Sequence, residues 1–150
     1  MSKSSTSRGF RKVDVDQYDE DNFKDEVDDV QDTGPNEQEV SNFLLQGNNL
    51  QAFKAALLNP PIHKKNPPAQ EAAAQLVMRV LSSMKASEIQ SAVDSCDADT
   101  LDVLAKYIYK CFALGPDGQS CASLLTWHEK VVAKGGVGCI VRVLTDRKRL

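Results

Sequence analysis

Residues 120–147 read SCASLLTWHEKVVAKGGVGCIVRVLTDR, and the fold turns on how they are read. Ser120 offers a hydroxyl that can accept an orphan N–H of a first helical turn, which makes it the expected N-cap. Leu124, Leu125, His128, Val131 and Val132 then recur at intervals that place an apolar stripe on one helix face. Gly135-Gly136 permits the positive φ that ends a helix. Val137, Ile140, Val141 and Leu144 restart the stripe beyond it. Cys139–Thr145 is rich in β-branched residues, so a strand competes there. Its polar residues fall at helical intervals and no other segment offers a strand partner, which favours helix. The stretch also holds the single tryptophan, Trp127.

Upstream, the same punctuation repeats. Gly34-Pro35 precedes Asn36, an N-cap candidate with Glu39 as its capping-box partner. Val40, Phe43 and Leu44 form that helix's apolar face and Gly47 stops it. Asn48 or Asn49 opens a second helix, with Leu50, Phe53 and Leu57 in register and Asn59-Pro60-Pro61 ending it. Residues 60–68, which include His63, Lys64 and Lys65, read as a solvated loop. Pro68 suits a first turn. The run Ala69–Met84 is full of strong helix formers, and Ala73, Leu76, Val77, Val80, Leu81 and Met84 share a face. Ser87 to Gln90 has a capping-box pattern ahead of Ile89 and Val93. Asp97 or Asp99 caps the next helix, where Leu101, Val103, Leu104, Tyr107, Ile108, Cys111 and Phe112 cover more than half the circumference and predict burial on two sides. Gly115-Pro116 closes it. The expectation is an all-α body, residues 36–150, of about seven short helices in an antiparallel bundle or a solenoid-like stack.

The N-terminal part is built differently. Residues 14–39 carry twelve acids against one base, Lys24, whereas residues 40–150 carry nine acids and thirteen bases. Such acid density repels itself and holds water, so residues 1–35 read as an extended or disordered arm. Phe10, Val13, Val15, Tyr18 and Phe23 sit among the charges, and a purely solvating tail has no use for them. They suit a peptide that docks side chains into grooves on another protein. Fully extended, the arm reaches roughly 115 Å at ~3.3 Å per residue.

Catalytic and metal chemistry find little footing. The four cysteines, Cys96, Cys111, Cys121 and Cys139, lack the short paired spacings of a zinc site and read as buried reduced thiols. Cys121, His128 and Cys139 could meet only in three dimensions. Gly135-Gly136-Val137-Gly138 lacks the lysine and Ser/Thr of a phosphate loop. Arg147-Lys148-Arg149 could touch nucleic acid, but an acidic arm would repel a polyanion. No apolar run approaches the ~20 residues that span a bilayer, and no secretory signal is expected.

Several blocks carry a family resemblance. Phe10-Arg11-Lys12-Val13-Asp14-Val15-Asp16, Tyr18-Asp19-Glu20 and Phe23 resemble the N-terminus of the smallest subunit, subunit 5, of the actin-related protein 2/3 complex. Lys106-Tyr107-Ile108-Tyr109-Lys110 is similar too, as are Leu124-Leu125, Trp127-His128-Glu129-Lys130, Gly135-Gly136-Val137-Gly138 and Ile140-Val141-Arg142-Val143-Leu144-Thr145. The resemblance implies a non-catalytic subunit without cofactor or metal, located in the cytoplasm and actin cytoskeleton, within a complex that nucleates branched actin filaments. It further implies that Phe10, Arg11, Val13, Val15, Tyr18 and Phe23 tether the actin-related protein 2 subunit and the beta-propeller subunit. The body would dock on a scaffolding core subunit, with Tyr107, Ile108, Phe112, Leu125, Trp127, Val141 and Leu144 as core or docking residues. Actin filaments would be met through the complex; no nucleic acid or membrane insertion is implied. A free-standing helical adaptor for a peptide or nucleic acid is the alternative.

Overall fold

The computed structural model describes residues 34–62, 66–146 and 150. The arm residues Phe10 to Phe23, the loop cluster His63 to Lys65 and the basic run Arg147 to Arg149 lie outside the described residues. Among those described, seven helices form and no strand does: α1 (Glu37–Leu45), α2 (Asn49–Leu57), α3 (Pro67–Ser83), α4 (Ala86–Asp94), α5 (Ala98–Ala113), α6 (Gly118–Gly135) and α7 (Val137–Thr145). The fold is all-α, as expected, and residues 137–145 are helix rather than strand.

Short polar side chains set most of the starts. Asn36 accepts from the backbone N–H groups of Gln38 and Glu39, Asn48 from that of Gln51, and Asn66 from that of Ala69. Asp97 accepts from Thr100 N–H at 2.8 Å, and these bonds hold its carboxyl below the usual carboxylate range. Two expected caps are corrected. Helix α6 begins at Gly118, and its cap is Asp117, whose carboxylate accepts from Ser120 N–H at 2.9 Å. Ser120 is therefore the third helical residue: an ionised carboxylate lies upstream, where Pro116 ends the preceding turn, and it binds the N-terminal dipole more strongly than a hydroxyl does. Helix α4 begins at Ala86, not at Ser87. There Glu88 reaches back to accept from Lys85 N–H at 3.0 Å, a bond that lowers its pKa, so Glu88 and not Gln90 closes the box.

Helices α3, α5 and α6 form the centre. Helix α6 packs on α3, α4, α5 and α7, while α2 packs on α1 and α3. A solenoid-like stack would leave each unit touching only its neighbours, so the arrangement is a bundle. The long helix α3 buries Ala73, Ala74, Leu76, Val77, Val80 and Leu81 as its pattern predicts. On α5, Leu101, Leu104, Ala105, Lys106, Tyr107, Ile108 and Cys111 are buried, which fits a helix covered on two sides.

Helix α6 is rotated from its expected setting. Its buried residues are Leu124, Trp127 and Val131, whereas Leu125 is 57% exposed and His128 and Val132 are half-buried. The tryptophan explains the rotation. Its indole stacks on Phe53 with centroids 5.1 Å apart, and its Nε1–H donates to the Leu81 carbonyl at 3.0 Å. Ser123 Oγ donates to the same carbonyl at 3.1 Å.

Lys134, near the end of α6, supplies a tie absent from any local pattern. Its ammonium donates to the carbonyls of Val93 and Asp94 at 2.9 Å each and of Cys96 at 2.6 Å. These carbonyls gather where α4 ends, the Val93 one also accepting from Cys96 N–H at 3.1 Å, and a cation there complements the helix dipole. Lys134→Met should lower stability by about 1–2 kcal/mol, read as a shifted urea midpoint with unchanged slope. An unchanged midpoint would show that water serves those carbonyls equally well.

Candidate docking surface

Helix α7 is short, strongly apolar and covered on one side only. Cys139 is buried and Ile140 and Val143 are half-buried against the core, whereas Val137, Val141 and Leu144 are 69%, 50% and 67% exposed. At ~100° per residue these three fall within roughly 60° of one another, so they make one outward ridge. Other exposed leucines are scattered on α1, α2 and the segment after α2: Leu45, Leu50 and Leu58. Single apolar residues of that kind are ordinary on a surface; a ridge is not.

The ridge is held rigidly. Gly136 has φ 68° and ψ −177°, a conformation open to glycine alone, and it lets the chain reverse between α6 and α7. Across from it, Arg142 makes two bonds to Asp102 of α5, at 2.5 and 2.8 Å, which raise the pKa of an already permanent cation. One turn on, Lys106 Nζ, with the side chain only 8% exposed, meets Asp146 at 2.6 Å. Asp102 and Lys106 on α5 thus face Arg142 on α7 and Asp146 just past its end, a matched ladder of opposite order. Neither pair was picked out from sequence, although the shared spacing of four was a usable signal.

Of the residues expected to serve core or docking, Tyr107, Ile108 and Trp127 lie in the core and Phe112 packs at its edge. Leu125, Val141 and Leu144 point outward, Val141 and Leu144 together on the ridge and Leu125 on the neighbouring helix. On α6, Cys121 and His128 are seven residues apart, roughly 10 Å along the axis, so they cannot pair. His128 Nε2 instead lies 3.0 Å from the Tyr109 hydroxyl, and Cys139 Sγ donates to the Gly136 carbonyl at 3.0 Å. Cys121 is half-buried rather than buried. Burial pushes the Cys111 thiol up to about 12, which keeps it protonated and a poor nucleophile. No cluster of metal-ligating side chains occurs among the described residues, and none of their helices is long and apolar enough to cross a membrane.

The sequence profile of the ARP2/3 complex 16 kDa subunit (p16-Arc) matches residues 9–150. The chain is 51% identical over 149 residues to actin-related protein 2/3 complex subunit 5-C of Xenopus laevis, covering 99% of both chains. It is 46% identical over 152 residues to the human actin-related protein 2/3 complex subunit 5-like protein, again covering 99% of both. A more distant relative, the probable subunit 5 of Caenorhabditis elegans, is 39% identical over 141 residues, 94% of this chain and 97% of that one.

Proposed function

Because the chain belongs to the family of the ARP2/3 complex 16 kDa subunit, we propose that it is a non-catalytic structural subunit of an assembly that nucleates branched actin filaments in the cytoplasm. Its body docks on the scaffolding core of the complex. Its arm, through Phe10, Arg11, Val13, Val15, Tyr18 and Phe23, tethers the actin-related protein 2 subunit and the beta-propeller subunit. The observation that carries the docking half is the Val137, Val141 and Leu144 ridge, a rigid apolar surface beyond what a lone domain needs. The arm's part rests on its sequence: aromatic anchors in an acidic, self-repelling segment, which give affinity at a few points.

A tether works by effective concentration. Once the body is docked, the arm's anchors meet their target at roughly millimolar local concentration, without any new contact in the body. Deleting residues 1–23 should leave the circular dichroism of the body intact and its co-purification with the core unchanged. The hold on the actin-related protein 2 subunit should weaken about tenfold or more. A truncated chain that unfolds would sink the two-part reading. A full-length chain that elutes alone on size exclusion from extract would favour the free-standing adaptor.

A further inference from the structure

Between α5 and α7 runs an open groove of about 330 Å³. Val143, Leu144 and Leu150 give it an apolar floor, and Tyr109, Lys106 and Lys110 line one wall. No Asp or Glu side chain lines it. The cations of α5–α7 are otherwise committed: Lys106 to Asp146, Arg142 to Asp102, Lys130 to Glu129, and Lys134 to the α4 carbonyls. Lys110 alone among them has no hydrogen-bond or ion-pair partner among the described residues. An unmatched ammonium beside an apolar floor is complementary to a carboxylate next to a bulky apolar side chain.

We infer that this groove receives a segment of another subunit that carries Asp or Glu beside a large apolar residue, with Lys110 as the carboxylate's partner. The inference rests on the reading that the α7 side of the body is buried in an assembly, and it adds the chemistry of the occupant. The groove's volume suits one or two side chains rather than a flat surface. Among the described residues Lys110 is the one unmatched cation at the groove, and one cation gives an anionic membrane only about 1 kcal/mol.

The test places photoreactive benzoylphenylalanine at position 113, where exposed Ala113 lines the groove, in the full chain assembled with its partner subunits. The expected product is a crosslink to one other subunit, in a segment with Asp or Glu close to the captured position. Lys110→Glu should cut its yield about tenfold while Lys110→Arg preserves it, with the dichroism spectrum of each unchanged. The inference fails if the crosslink falls on a second copy of this chain or on a segment without acids. It fails equally if no crosslink forms while the chain still co-purifies, or if Lys110→Glu changes nothing. Flotation with phosphatidylserine vesicles that disappears in Lys110→Glu would reassign the groove to lipid. A chain that co-purified with no other subunit would overturn the docking reading itself, and this inference with it.

Discussion

Trp127→Ala lowers the stability of the helical body by about 3–5 kcal/mol, the largest single-residue effect expected in the chain. The indole is fully buried, stacked on a Phe53 that is itself 1% exposed, and tied to the Leu81 carbonyl. Truncation removes the largest side chain in the core and leaves a void between α2, α3 and α6. Those helices are fixed by other contacts and can close it only in part. The hydrogen bond contributes less than the packing, because Ser123 Oγ still serves the Leu81 carbonyl when the indole is gone. Trp127→Phe therefore separates the two terms: it keeps a ring against Phe53, loses the N–H, and should cost less than half as much. Urea unfolding of both variants reads the difference. Should the alanine variant fail to fold, the phenylalanine variant still decides the question. A cost near that of alanine would mean that the hydrogen bond, not the packing, dominates.

The same residue shows where sequence reading reaches its limit. Periodicity weighted Leu125 and Val132 as heavily as Leu124 and Val131, and so placed the buried face of α6 roughly 60° from where it lies. What orients the helix is one large side chain seeking a partner ring and a carbonyl on other helices, and no spacing within α6 encodes those. Caps were more legible, since a cap bonds within three residues of itself: Asn36 acts as expected, and of the paired candidates Asn48/Asn49 and Asp97/Asp99 the first of each is the cap. Ser120 was the expected cap of α6, and the carboxylate three residues upstream, Asp117, takes that place instead. The Lys134 tie and the α5–α7 ladder span about forty residues in sequence, so only the packed structure brings their groups together. The ridge on α7 was half visible: Val137, Val141 and Leu144 belong to the expected apolar stripe, whose fourth member, Ile140, packs half-buried against the core. Their solvent exposure depends on α5 and α6 taking the opposite face, around Cys139.

That exposure makes Val141→Asp combined with Leu144→Asp the sharpest test of docking. Both side chains are at least half exposed, so the pair should change stability, read from urea unfolding, by no more than about 0.5 kcal/mol per site. If the ridge is the docking face proposed above, the same positions are the centre of an interface, and each carboxylate must be stripped of water against an apolar surface. Central interface residues commonly cost 2 kcal/mol or more when disrupted. The double variant should therefore lose about a hundredfold or more in affinity for the other subunits, measured by co-purification against a titrated wild-type competitor. Leu45→Asp supplies the control, since Leu45 is 87% exposed on α1 and belongs to no ridge. It carries the same chemical change and should leave assembly untouched. Equal losses from both variants would point to a general effect of added negative charge rather than to a docking face. No loss from the α7 pair would mean that the ridge faces solvent in the complex. In that case the body must be held by another face, and the ladder of Asp102, Lys106, Arg142 and Asp146 serves only to close the bundle.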